Sequence, residues 1–330
     1  MVTSDQLEES KAIQRRTGRT FHVATRFLPR RARHPTYVLY AFFRLADDVV
    51  DDPDPPPADE RRAELAAMRA AVLDGEATDE PVLAAMADLR ERHGIPDREV
   101  EVFLDAMVAD VEATDYETYA DLERYLRGSS VAVANMMLDV MDPADPEAAR
   151  PHARALAEAF QLTNFLRDVR EDVRDYDRVY LPRETLTAHG VAREEITRLE
   201  YSPRFAAAMR TELERTEARY REGVAGIGLL PEDCQFPVLL AAVLYAEHHR
   251  RLRARDFDVL SARPSLRRRD YARVVARTWW HWRRTRDPEA VFYRVGAVPR
   301  RADDPAPSRG PLASSVGRVT DRLPLVGRPE

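Results

Sequence analysis

Apolar residues recur at helical spacing from about residue 5 to about residue 285, and the interruptions fall at Pro, Gly or Asp clusters. No stretch shows the apolar and polar alternation of a convincing strand. A first helix is expected to end near Pro29. A second begins near His34 and Pro35 and carries YVLYAFFRLADDVVDD until Pro53, Pro55, Pro56 and Pro57 forbid its continuation, which places Asp47 to Asp52 in its last turns. Asp59 is expected to cap the next helix, Gly94 and Pro96 to end the one after it, and Asp97 to cap a segment running toward Thr114. Further helices are predicted near 117–140, 146–174, 202–228, 235–255 and 269–285. The pattern implies an all-α bundle with one large core over residues 1–285. From 286 to 330 periodicity fades while Pro and Arg accumulate, so this segment is expected to be a mobile tail.

Composition supports a helical reading: 44% of the 330 residues are hydrophobic, 33% are charged, and only 12 are Gly. A net charge of -6 gives no electrostatic basis for a nucleic-acid partner, although Arg267, Arg268 and Arg269 form a local run. Cys234 is the single cysteine, which excludes an internal disulfide and any Cys-based zinc spacing and fits a reducing cytoplasm. Neither a signal-peptide pattern nor an uninterrupted apolar run of spanning length is present, so no integral membrane segment is expected.

Two acidic stretches change the picture from fold to chemistry. In Arg44-Leu45-Ala46-Asp47-Asp48-Val49-Val50-Asp51-Asp52, the i,i+4 spacing puts Asp47 and Asp51 on one helix face and Asp48 and Asp52 on the neighbouring one. Such like-charge pairs destabilise a helix, and carboxylates at its C-terminal end also oppose the macrodipole, so a cation is expected to offset them. In QLTNFLRDVRED, Asn164, Asp168 and Asp172 form a polar stripe at successive i+4 positions, preceded by a segment apolar enough to be buried. Hard oxygen ligands on both stretches suit Mg²⁺, with Mn²⁺ as the alternative, and Mg²⁺ takes its remaining ligands from water and phosphate. Asp47, Asp48, Asp51, Asp168, Asp172 and Asn164 are the candidate metal ligands. Arg44 and Arg167 each precede an Asp and present forks that match phosphate oxygens, with Tyr40 one turn before Arg44. A lone DxxxD is more economically read as a solvated face paired with nearby arginines; two matching copies favour a site.

The segments YAFFRLADDVVDD and QLTNFLRDVREDVRDYDRVYLP closely resemble the signature segments of the squalene and phytoene synthase family, and the resemblance covers roughly residues 15 to 285. It implies a single-domain isoprenoid synthase helical bundle, with the two aspartate motifs facing each other across a central cavity. It implies catalytic roles for Asp47, Asp51, Asp168, Asp172, Tyr40, Tyr125, Tyr180 and Tyr245, and diphosphate binding by Arg44, Arg167, Asn164, His22 and Arg263. For Tyr180 and Tyr245 taken alone, the plainer reading is an aromatic filling the core. The segment around Tyr125, YLRGSSVAV, departs from the family's usual small-residue pattern, which bears on the shape of the tunnel for the prenyl tail.

The reaction implied is head-to-head joining of two geranylgeranyl diphosphates through a cyclopropyl diphosphate to phytoene, with no NADPH. The absence of a C-terminal anchor favours it over the sister reaction from farnesyl diphosphate to squalene or dehydrosqualene. An assembly protein of the same fold is the alternative of another class, and the intact acidic motifs argue against it. Greasy substrates imply reversible membrane contact, for which Trp279, Trp280 and Trp282 with their flanking arginines are a candidate alongside core packing; downstream carotenoid enzymes are possible partners. His248 and His249 are expected at the surface.

Overall fold

The computed structural model describes residues 23–52, 54–111 and 115–300. Its helices are α1 (Arg30–Val50), α2 (Ala58–Arg69), α3 (Pro81–His93), α4 (Asp97–Asp110), α5 (Tyr119–Leu126), α6 (Val133–Met141), α7 (Pro146–Tyr176), α8 (Arg183–Ala188), α9 (Arg193–Thr197), α10 (Pro203–Ala225), α11 (Glu232–Arg253), α12 (Arg268–Thr285) and α13 (Pro288–Val295). Among the described residues there is no strand, only an isolated bridge between Asp115 and Val179. The all-α expectation stands.

α1 forms because Val38, Leu39, Phe42, Phe43, Ala46 and Val49 recur every three or four residues and are buried. It starts earlier than its sequence suggests, at Arg30 behind Pro29, and Pro35 lies inside it. The one backbone bond that Pro35 cannot donate is offset by apolar burial on both sides, at Ala32 and Val38. Its last helical residue is Val50, and the Asp51 N–H closes the final turn on the Asp47 carbonyl at 2.8 Å. Asp47 therefore lies in the helix, whereas Asp51 and Asp52 follow its end.

The 31-residue α7 carries the second acidic stretch. Asp145 caps it by accepting from Ala148 N, Pro146 occupies the first turn, and Asp177 ends it in the left-handed region at φ 50°. α7 packs most extensively along α10. Their axes approach closely at Gly223, where a Cβ would lie 2.6 Å from the Leu156 backbone nitrogen.

Three large apolar clusters build the core, one of them packing Leu166 and Val169 of α7 against Phe205, Met209 and Leu213 of α10. Of the other two, one joins α1 through α4 and α6, with Phe42, Phe103, Met86 and Met136; the second joins α7, α10, α11, α12 and α13, with Tyr220, Leu240, Trp282 and Phe292. The second cluster corrects the expected boundary at residue 285. Residues 288–295 are helical, capped by Asp287, and bury Val291, Phe292 and Val295. Arg250 donates to the Val295 and Gly296 carbonyls at 2.9 and 2.6 Å, and Arg253 to the Ala297 carbonyl at 3.1 Å. An eight-residue helix is too short for its periodicity to stand out from Pro- and Arg-rich surroundings. Residues 301–330 lie outside the described residues.

Candidate active site

A cavity of about 620 Å³ lies between the cluster of α1–α4 and α6 and the cluster of α7 and α10–α13. α7 and α11 line it in the same sense. Their N-terminal halves contribute Ala153, Leu156, Ala157, Pro237, Val238 and Ala241, and their C-terminal halves contribute Asn164, Arg167, Tyr245 and His248. α1 adds Tyr40, Arg44 and Asp47 at the polar end, while Phe43, Phe103, Met107, Val133 and Met137 extend the apolar wall. The result is a long greasy chamber with a charged head.

Beside that head the C-terminal ends of α1 and α7 meet. Arg178, just beyond α7, donates to Asp51 Oδ1 at 2.9 Å, to the Val50 carbonyl at 3.2 Å and to the Asp110 carbonyl at 2.9 Å. Arg44 donates to Asp47 Oδ2 at 3.3 Å and also pairs with Asp48. Asp168 is gripped by two guanidinium groups: Arg167 Nε at 2.6 Å, and Arg263 through Nε and Nη2 at 2.7 and 3.0 Å. Arg263 thus reaches Asp168 from the loop after α11.

The negative charge is not fully compensated. Burial pushes the Asp47 carboxyl up to about 7 against the pull of Arg44, and Asp51, Asp110 and Asp48 add to the rise. Asp172 makes no ion pair among the described residues and rises to about 8, first through burial and then through the charges of Asp168 and Asp51. The Asp51 charge thus acts on a carboxyl in each acidic stretch, which the fold has brought together. Asp110 rises to about 7 through burial despite the Tyr125 hydroxyl donating to its Oδ2 at 2.7 Å, and its Oδ1 has no partner.

The six candidate metal ligands do not stand as a ready-made cage. Among the described residues, no three His, Cys, Asp or Glu side chains are grouped to hold a metal ion. The reason is visible in the pairing: arginines occupy Asp47, Asp48, Asp51 and Asp168. Asn164 donates only a long 3.4 Å bond to Gln161. The donor set still fits a hard cation, because desolvated carboxylates in excess of their counter-ions are stabilised by one.

The tyrosines divide into two groups. Tyr40, Tyr125 and Tyr245 line the cavity, Tyr245 stacking on Phe160 with centroids 4.5 Å apart. Tyr180 instead stacks on Phe165 at 3.9 Å, with Tyr116 and Tyr125 alongside, and is absent from the cavity wall. Burial raises Tyr125 and Tyr180 well above the ordinary phenol range, so both stay neutral. His22 lies outside the described residues.

Sequence reasoning missed Asp110, Arg178, His248 and Tyr271. Asp110 ends an apolar run and Arg178 lies within the quoted DYDRVYLP, but only packing reveals what each touches. The expected surface position of His248 and His249 is corrected: they are 3% and 0% exposed. His249 is held between Thr163 Oγ1 and Glu217 Oε1 at 3.0 and 3.1 Å.

Residues 14–270 match the family model described as squalene/phytoene synthase. The chain belongs to that family. Phytoene synthase of Cereibacter sphaeroides is 31% identical over 82% of this chain and 78% of its own. Phytoene synthase of Thermus thermophilus is 32% identical over 77% and 86%. Among solved structures, a dehydrosqualene synthase in complex with ligand superposes with a TM-score of 0.75 at 24% identity, covering 84% of this chain and 97% of that one. A squalene synthase from Alicyclobacillus acidocaldarius gives a TM-score of 0.67 at 22% identity, covering 77% and 95%. These two similarities establish the family's helical fold for this chain.

Proposed function

We propose that this chain is a phytoene synthase, a prenyltransferase that joins two geranylgeranyl diphosphates head to head through a cyclopropyl diphosphate. The observation that carries the reading is a cavity whose polar end is lined by Arg44 and Asp47 of the first acidic stretch and by Asn164 and Arg167 of the second, and which continues as an apolar chamber. The relatives of about 30% identity named phytoene synthase support it from sequence.

Asp47, Asp51, Asp168 and Asp172, with Asp48 and Asn164, would hold Mg²⁺, or Mn²⁺ in its place. A cation held by these residues would supply neutralisation of diphosphate charge and assistance to the leaving group. Arg44, Arg167 and Arg263 carry the fork geometry that suits phosphate oxygens, and each is anchored by an aspartate that fixes its plane. The aromatic faces of Tyr245 and Phe160 border the chamber without offering a strong nucleophile, which suits a cationic hydrocarbon. Apolar walls keep water from intercepting it.

No described helix is long and apolar enough to cross a membrane. Among the described residues, α12 offers a suitable surface for peripheral contact. Trp279 and Trp280 are 48% and 47% exposed, with Arg283 and Arg284 stacked over them, and Arg273 and Arg277 are exposed on the same helix. Its one acid, Asp270, is buried against Arg251. Trp282 is not part of that surface: it packs in the core. Tyr271, near the start of α12, lines the cavity, so a bilayer contact here would lie beside the chamber that receives the substrate.

Incubation of the purified protein and Mg²⁺ with geranylgeranyl diphosphate, without NADPH, is expected to give phytoene. Product from farnesyl diphosphate alone would reassign the substrate, and absence of turnover with either would overturn the reading.

A further inference from the structure

His248 is 3% exposed, lines the cavity, and neither Nδ1 nor Nε2 has a hydrogen-bond partner. In either tautomer an imidazole presents one donor and one acceptor, so burial without partners leaves both unmet. The adjacent His249 shows that such vacancy is not general in α11, since both of its ring nitrogens are engaged, by Thr163 and Glu217. His248 therefore has the character of a group whose partner arrives with a ligand.

Its surroundings indicate the chemistry of that ligand. Besides the neighbouring His249, the charges acting on the ring are the guanidinium groups of Arg167, Arg263 and Arg251, and Tyr245 stands one turn away on the same cavity wall. Arg167 and Arg263 both spend Nε and Nη2 on Asp168, leaving Nη1 of each for an incoming anion. We propose that His248 binds the substrate's diphosphate, its ring N–H donating to a phosphate oxygen beside the Arg167 and Arg263 guanidinium groups. This rests on the reading of the cavity as a prenyl diphosphate site. Burial first, and then the Arg167 guanidinium and its cationic neighbours, disfavour a positive imidazolium, and an arriving anion relieves that field while supplying the missing acceptor.

The test is calorimetric titration of inorganic diphosphate, with Mg²⁺, into the full-length chain and its His248→Leu and His248→Asn variants, together with steady-state kinetics. His248→Leu is expected to fold with an unchanged or raised Tm, to bind diphosphate about tenfold more weakly, and to raise KM for prenyl diphosphate similarly while changing kcat less. His248→Asn, whose amide can donate, is expected to recover part of both losses. Unchanged affinity and KM in His248→Leu would overturn the assignment while leaving the cavity's function intact. A wild-type protein that neither binds diphosphate nor turns over prenyl diphosphates would overturn the functional reading, and this inference with it. If His248→Leu does not fold, His248→Asn and the ring ¹⁵N resonances of wild-type His248 decide: a shift on adding diphosphate supports the contact, and an unmoved signal removes it.

Discussion

Arg178 binds Asp51 through a 2.9 Å hydrogen bond and, with the same guanidinium group, holds the carbonyls at the ends of α1 and α4. The residue just past the second acidic stretch thus fixes the position of the first. Arg178→Met would leave those acceptors without a donor in a buried setting. A loss of about 3 kcal/mol is expected, read as a lower midpoint in urea unfolding, together with reduced turnover.

The raised carboxyls give a pH-dependent cation effect. Asp47 and Asp172 titrate near 7 and 8 in the fold, against about 4 in an unfolded chain. The folded state therefore binds more protons than the unfolded one across that window, and stability contributed by these groups is present at low pH and lost as pH rises through the folded values. Mg²⁺ competes with those protons, so its effect on Tm is expected to be larger at about pH 8.5 than at about pH 6. Equal Mg²⁺ shifts at both would contradict a metal site made of these groups.

Asp47→Asn and Asp172→Asn remove half-buried charge without changing shape. Both are expected to keep the helical circular dichroism spectrum and match or exceed wild-type Tm at alkaline pH, yet to lower kcat at least about 100-fold. Retained turnover in both would exclude the proposed metal role.

Gly223→Ala tests the contact that sets α7 against α10. The new Cβ would lie 2.6 Å from the Leu156 nitrogen, a backbone atom that cannot rotate away. A cost of about 1–3 kcal/mol is expected, seen as a lower Tm.

Trp279→Ala combined with Trp280→Ala is expected to weaken sedimentation with vesicles containing anionic lipid about tenfold, while activity on detergent-presented substrate stays near wild type. Both side chains are half exposed, so the fold has little to lose.

Much of the architecture is legible in the chain because it is local. The spacing of Val38, Leu39, Phe42 and Phe43 dictates a helix, Pro146 and Asp145 start another, and the prolines after Asp52 stop α1 beside its carboxylates. The aspartate motifs are likewise contiguous, and they suffice to place the chain in its family. What depends on which surfaces meet is not written in any window. Asp110 and Arg178 become site residues only when α4 and the end of α7 close over Asp51. His248 follows Tyr245 by three residues, which the sequence shows, but its burial without a partner depends on α7, the Arg263 loop and α12 around it. Phe292 belongs to the core because Tyr220 and Leu240 leave an apolar surface for it, whereas its own neighbours read as tail. Helix formation is decided by short-range periodicity and caps. Partnership between charges, and a buried polar group left without one, are decided only by packing of residues far apart in the chain.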